Sequence, residues 1–284
     1  MPAGRGQVPA SEDLGRSSVA MTMSQGHQWR ERREYPLTTD SLSDLLANKI
    51  PAIRVKNFAN ADECARFAIA MRSGARKEYG VDRPIGYIGM AQYEFRWSRS
   101  KKDYFDAVPK AFADQRFVFD RSFDVMARFI SVLGSAWPSP VRIAEDEYGP
   151  YFAGIIRFAT NGIGLHADYA PFNMPGYSVD QITSQLAWNL FVEAPASGGV
   201  TTLCNAPWTP EMEPGKPPQS YGLSKPADGA IETFQYAPAV GDVVIFNSRN
   251  PHEVSAGLSE AGHGRLQIGS FAGHMPDRSL VLFA

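Results

Sequence analysis

Past Pro150 the chain breaks into short runs rich in β-branched and aromatic residues: YFAGIIRFA, QLAWNLFVEA, GGVTTLCNA, ETFQYAPA, GDVVIFNS and GRLQIGSFAG. Gly, Pro, Asn or Ser separates each run from the next, which is the punctuation of strands and turns. No amphipathic pattern long enough for a helix lies between them. Parallel strands need such a crossover, so a doubly wound sheet is disfavoured and a β-sandwich or barrel is expected over about residues 150–275.

The region before this supplies supporting helices. IPAIRVKNF alternates like a short strand, and Asn60 then stands as an N-cap with Glu63 in the capping-box position. Cys64, Phe67, Ala68 and Met71 follow at helical spacing. A second helix is expected near 119–133, with Phe123, Met126, Ile130 and Leu133 on one stripe and Gly134 and Pro138 as stop signals. Residues 1–34 are rich in Gly, Ser, Pro and charge, without the apolar stretch of a signal peptide. They read as a tail that contains His27 and two alternative starts, Met21 and Met23, which leaves 35–284 as one domain.

Composition narrows the function. Lys and Arg (28) nearly balance Asp and Glu (30), so there is no basic footprint for nucleic acid. No run of about 18 apolar residues is present, so neither a membrane span nor a membrane partner is expected. Cys64 and Cys204 are too few for a disulfide scaffold or a thiolate zinc site and suit a reducing cytoplasm. No Ser-His-Asp or Cys-His set for nucleophilic catalysis stands out.

What remains is GLHADYAPFN. If residues 166–168 are extended, His166 and Asp168 point to one face, because strand side chains alternate. His252, after the apolar run Val243, Val244, Ile245 and Phe246, is a candidate third ligand, and Arg265 opens the alternating run that follows. Two imidazoles and one carboxylate on one face of a metal leave three places open, the facial triad that suits non-haem Fe(II). A keto acid can chelate through two of those places and leave the third for O2, with arginine's planar fork on its far carboxylate. Against this, each histidine alone reads as a hydrogen-bonded structural residue, Asp168 as a turn residue before Pro171, and Arg265 as a surface cation.

The stretch 151–273 resembles the Fe(II)/2-oxoglutarate-dependent oxygenases, in which an H-x-D pair and a distal His bind iron and a downstream Arg binds 2-oxoglutarate. GGVTTL and VGDVVIF look like that family's GG-x-T strand and its G-D turn before the distal histidine. The resemblance implies a double-stranded β-helix (jelly-roll, cupin-like) core with N-terminal helices. It also implies iron held by His166, Asp168 and His252, 2-oxoglutarate held by Arg265, and O2 as oxidant, with succinate and CO2 released. More narrowly, YFAGIIR, GLHADYAPFN and NSRNPHE are similar to the small carrier-independent group of N-succinyl amino acid hydroxylases and indole-alkaloid halogenases. Halogenases of that group carry a small residue where this chain has Asp168, which implies hydroxylation here. Some relatives place Ser two positions after the arginine; this chain has Gln267, so Arg157 is the alternative second anchor of 2-oxoglutarate.

The expected substrate is a small molecule, an amino acid or N-acyl amino acid. Arg96, in an aromatic and basic segment with Arg83 and Arg99, is a candidate grip for its carboxylate. Phe172, Trp188 and Asn189 are candidate pocket residues, whereas His263 in a Gly-rich turn and His274 beyond the last core strand are weak ligands. The long Pro-rich stretch 209–229 reads as a lid or a plain surface excursion. Two other readings stay open: a cupin-like metal dioxygenase or isomerase without 2-oxoglutarate, and a non-catalytic β-sandwich binding module.

Overall fold

The long strand Ser184–Glu193 is the axis of the larger sheet, paired antiparallel with Val243–Asn247 on one side and Leu266–His274 on the other. Beyond Leu266–His274 lies Ile155–Phe158, also antiparallel, and beyond that Gly86–Ile88. Ala52–Val55 extends the opposite edge. A four-stranded sheet, in the order Thr233–Tyr236, Thr201–Cys204, His252–Val254, Ile163–His166, is antiparallel throughout. The chain alternates between the two sheets to wrap a double-stranded β-helix. This is a computed structural model, and it describes residues 29–78, 85–95, 99–212, 222–223, 225, 231–259 and 264–284.

Alternation along the larger sheet divides its side chains between two environments. Leu186, Trp188, Leu190, Ile156, Leu266 and Ile268 pack outward against the helices, while Gln185, Ala187, Asn189, Ile155 and Gln267 face the barrel interior. The helix side is anchored by Trp188 stacked on Phe129, with ring centroids 3.9 Å apart. Burial of a side chain such as Phe129 stabilises by about 1.5–3 kcal/mol, so this layer holds the sheet against the helices.

The helix Ala61–Ser73 starts at Asn60 with both capping-box bonds made, and it buries Cys64, Phe67, Ala68 and Met71. The helix expected over 119–133 is different in the structure. Lys101–Phe119 and Val125–Ala136 are two helices, because the Asp124 side chain accepts from Ala127 N and starts the second afresh. The second also runs through Gly134 to Ala136. Another helix, Thr39–Leu46, begins at a Thr38 capping box.

The expected tail ends earlier than residue 34. Trp29 is 4% exposed, and its backbone N–H donates to Glu232. Residues 1–28, with Met21, Met23 and His27, lie outside the described residues, as does most of 209–229. Gly222 and Leu223 are described, and both donate to the Leu165 carbonyl. His274 is the last residue of its strand rather than beyond the core, and Leu280–Phe283 pairs with that strand. Among the described residues no helix is long and apolar enough to cross a membrane.

Candidate metal and co-substrate site

His166 ends one strand of the small sheet and His252 opens its neighbour, and the antiparallel register sets the two directly opposite. Their rings lie 4.1 Å apart between centroids. Asp168 follows in the turn, with Oδ2 3.6 Å from His166 Nε2 and 3.7 Å from His252 Nε2. All three side chains are buried and converge as a group able to hold one metal ion.

Each imidazole is oriented from behind. His166 Nδ1 lies 2.8 Å from the Gly164 carbonyl and His252 Nδ1 2.9 Å from the Asn250 carbonyl. A carbonyl only accepts, so each Nδ1 carries a proton, and Nε2 is the nitrogen each ring turns toward Asp168, the one available to a metal. Asp168 is positioned through its backbone. Its N–H donates to the Ser248 carbonyl at 2.9 Å, and Ser248 Oγ donates back to the Asp168 carbonyl at 3.0 Å.

Burial pushes His252 down to about 3 from an ordinary 6.5, the neighbouring His166 acting in the same direction and Asp168 opposing. A folded value below the unfolded one gives stability that is present above pH 6.5 and lost as pH falls toward 3. Metal-free protein is therefore expected to lose melting temperature over that interval, and His252→Asn to remove part of the loss. Thermal melts of both proteins across a pH series check this; superimposable profiles would assign the loss to other groups.

A cavity of about 660 Å³ opens onto the triad and is lined by Arg265, Arg157, Gln267, Asn189 and Thr201 among others. Arg265 is 2% exposed, and its Nη2 lies 3.3 Å from Thr201 Oγ1. Its Nε and Nη1 are buried without a hydrogen-bond partner among the described residues, and no carboxylate pairs with it there. Burial lowers this guanidinium to about 10, with Tyr236 opposing and Arg157 adding to the shift, so it stays charged at neutral pH. A buried cation left with unmet donors needs an anion to complete it. Arg157 sits on the adjacent strand, directly across from Gln267, whose Oε1 is likewise buried and unmet.

The structure thus brings His166, Asp168, His252, Arg265 and Arg157 to one cavity, with Asn189 in its wall over Gly269. A Cβ at Gly269 would fall 2.4 Å from the Trp188 carbonyl and 2.5 Å from Asn189 Oδ1, so only glycine leaves that amide room. Phe172 is not among the lining residues. The chain turns into a short helix, Ala170–Asn173, which directs Phe172 outward, 40% exposed, against Tyr169 and Trp208. Asn173 and Met174 line the cavity instead. Trp188 also lines the cavity, although its ring turns to the helices and stacks on Phe129. Arg96, Arg83 and His263 lie outside the described residues, and His274 bonds Thr183 and does not line the cavity. Thr201 is the threonine of the GGVTTL stretch, whereas the role of Ser248 arises from its contact with the distant Asp168.

A double-stranded β-helix enclosing a buried His-x-Asp and distal His beside a buried arginine defines the iron- and 2-oxoglutarate-dependent oxygenases, and this chain is an enzyme of that class. It belongs to the family described as carrier-protein-independent halogenase WelO5, whose model matches residues 32–283. Leucinostatins biosynthesis cluster protein S of Purpureocillium lilacinum is 36% identical over 199 residues, covering 68% of this chain and 81% of that protein. L-gamma-glutamyl-L-propargylglycine hydroxylase of Streptantibioticus cattleyicolor is 27% identical over 257 residues, 87% of this chain and 93% of its own length. Among solved structures, an N-substituted L-amino acid dioxygenase from Burkholderia ambifaria shares the fold with a TM-score of 0.57 at 15% identity, over 87% of this chain and 91% of that one.

Proposed function

We propose that this protein hydroxylates an unactivated C–H bond of an amino acid or N-acyl amino acid, within a single domain that takes in Trp29 ahead of the expected 35–284. The observation that carries hydroxylation over halogenation is Asp168, whose carboxylate completes the triad within 3.7 Å of both histidines. The names of the hydroxylase and dioxygenase relatives support the substrate class.

The donor set fits iron: two neutral imidazoles and one carboxylate, buried and facing one another. Iron held there with 2-oxoglutarate and O2 would supply the oxidising power for one oxygen atom to reach the substrate carbon and the other to enter succinate, with release of CO2. His166, Asp168 and His252 hold the metal, and Arg265 takes the far carboxylate of 2-oxoglutarate. Arg157 shares that carboxylate where a serine is replaced by Gln267. Asn189, over Gly269, orients the substrate, and Arg96 remains the candidate for its carboxylate. The apolar walls exclude water from the reacting carbon, which is the protein's main share in such chemistry.

Anaerobic titration with Fe(II) and then 2-oxoglutarate, followed by O2 and a panel of N-acyl amino acids, tests this reading. Iron-dependent uptake of the keto acid and a singly oxygenated product are expected. Arg157→Gln is expected to weaken 2-oxoglutarate at least about tenfold, since a charge-assisted hydrogen bond contributes about 1.5–3 kcal/mol. A chlorinated product from the unaltered protein in chloride buffer would overturn hydroxylation. Iron uptake without keto-acid uptake would return the cupin-like alternative.

A further inference from the structure

Behind the small sheet, outside the cavity, the connection that precedes His252 is held by a chain of buried amides. Asn48 follows the Thr39–Leu46 helix in the left-handed conformation (φ 55°), which asparagine adopts more readily than other residues bearing a Cβ. It is 8% exposed, and each of its amide atoms is engaged. Nδ2 donates to Asn205 Oδ1 at 2.9 Å, while Oδ1 accepts from Asn250 Nδ2 at 2.6 Å and from the Trp29 indole at 3.4 Å. Asn250 is 1% exposed, and its backbone carbonyl is the acceptor for His252 Nδ1. Asn48, Asn205 and Asn250 do not line the cavity. This polar cluster therefore touches neither substrate nor co-substrate.

We propose that Asn48 is a positioning residue for the metal ligand His252, acting through Asn250. The inference rests on the proposed function only in taking His252 as an iron ligand. An imidazole turns about its Cβ–Cγ bond, and what fixes the direction of Nε2 is the acceptor opposite Nδ1. Here that acceptor is a peptide carbonyl in a turn, and a turn peptide can rotate. The side chain on the same Cα prevents this, because its amide is bonded to Asn48 Oδ1 at the end of a helix. Thr39–Leu46 thus reaches the metal site through two hydrogen bonds without supplying a ligand. Partners one bond removed from a metal ligand typically alter metal affinity 10- to 100-fold when removed, and this contact lies one bond further out.

The test compares three variants for anaerobic Fe(II) binding by calorimetry, in the absence of 2-oxoglutarate, alongside melting temperature. Asn48→Gly removes the side chain while keeping the left-handed backbone free of strain. Asn205→Ala leaves the Asn48–Asn250 bond in place while removing the bonds of Asn205 to Asn48 and Glu232, and so measures loosening of the cluster. Asn48→Asp keeps an oxygen facing the Asn250 amide. Asn48→Gly is expected to raise the Fe(II) Kd about tenfold, at the low end of that range. Asn205→Ala should lower the melting temperature with little change in Kd, and Asn48→Asp should retain tight binding. An unchanged Kd in Asn48→Gly, or an equal rise in Asn205→Ala, would reduce Asn48 to a structural residue. Unaltered protein that takes up no Fe(II) would overturn the metal site itself, and this inference with it.

Discussion

Replacing Arg265 by methionine is expected to make the metal-free protein more stable and, in the same step, unable to take up 2-oxoglutarate. The guanidinium is 2% exposed, its Nε and Nη1 have no partner among the described residues, and burial has lowered its pKa to about 10. These are signs of a charge taken from water without a counter-ion. Replacing buried charged groups with apolar ones of similar volume is often neutral or stabilising by about 1–4 kcal/mol. Each kcal/mol moves the melting temperature of a domain of this size by roughly 2–4 °C. Binding should move the opposite way. Truncating one partner of a buried, hydrogen-bonded charge pair loses about 2–5 kcal/mol, roughly 30-fold to several thousand-fold in Kd. Scanning calorimetry of the ligand-free variant, with anaerobic titration of 2-oxoglutarate into its Fe(II) form, reads both effects. A less stable variant with unaltered keto-acid affinity would make Arg265 a structural cation.

The features legible in the amino-acid sequence were those whose physics is local. The strands around Ala187 and Ile245 announce themselves by composition and turns, and His166 and Asp168 by their spacing. Errors came where local rules met long-range ones. Trp188 and Asn189 both line the cavity, but they are adjacent on a strand and their side chains cannot both project into it; packing on Phe129 turns the Trp188 ring outward. Phe172 is misplaced because extended geometry stops at Asp168 and a helical turn follows. The helix Lys101–Phe119 is masked by Pro109 in its interior, which lowers helical propensity although the Ser100 cap is strong. Asn48 and Ser248 are the extreme case. Neither residue type nor spacing suggests a role, and both act through partners far along the chain, Asn250 and Asp168. Site residues that touch the metal have a motif; those that hold them have only a fold.

That distinction bears on Asp168→Gly. The substitution removes the carboxylate of the triad but leaves the backbone bond from residue 168 to the Ser248 carbonyl and the bond from Ser248 Oγ back to it. The turn should therefore persist, and with it the two imidazoles, each still fixed by its own carbonyl. What changes is charge: among the described lining residues Asp168 carries the one side-chain carboxylate, so its loss makes the metal site more positive by one unit. Fe(II) affinity is expected to fall steeply in halide-free buffer, because a ligand and a neutralising charge are lost together. Chloride can restore the charge and occupy the vacated place, so part of the affinity should return as chloride rises. With an accepted substrate, the hydroxylated product should decline and a chlorinated one appear in proportion to chloride. Calorimetry of Fe(II) binding at several chloride concentrations, with product masses at each, separates the outcomes. Affinity that recovers with chloride, together with a chlorinated product, would show that Asp168 carries the choice between the proposed hydroxylation and halogenation. Protein that stays free of iron at every chloride concentration would show that the carboxylate is needed simply to retain the metal, and that a change of chemistry requires alterations beyond residue 168.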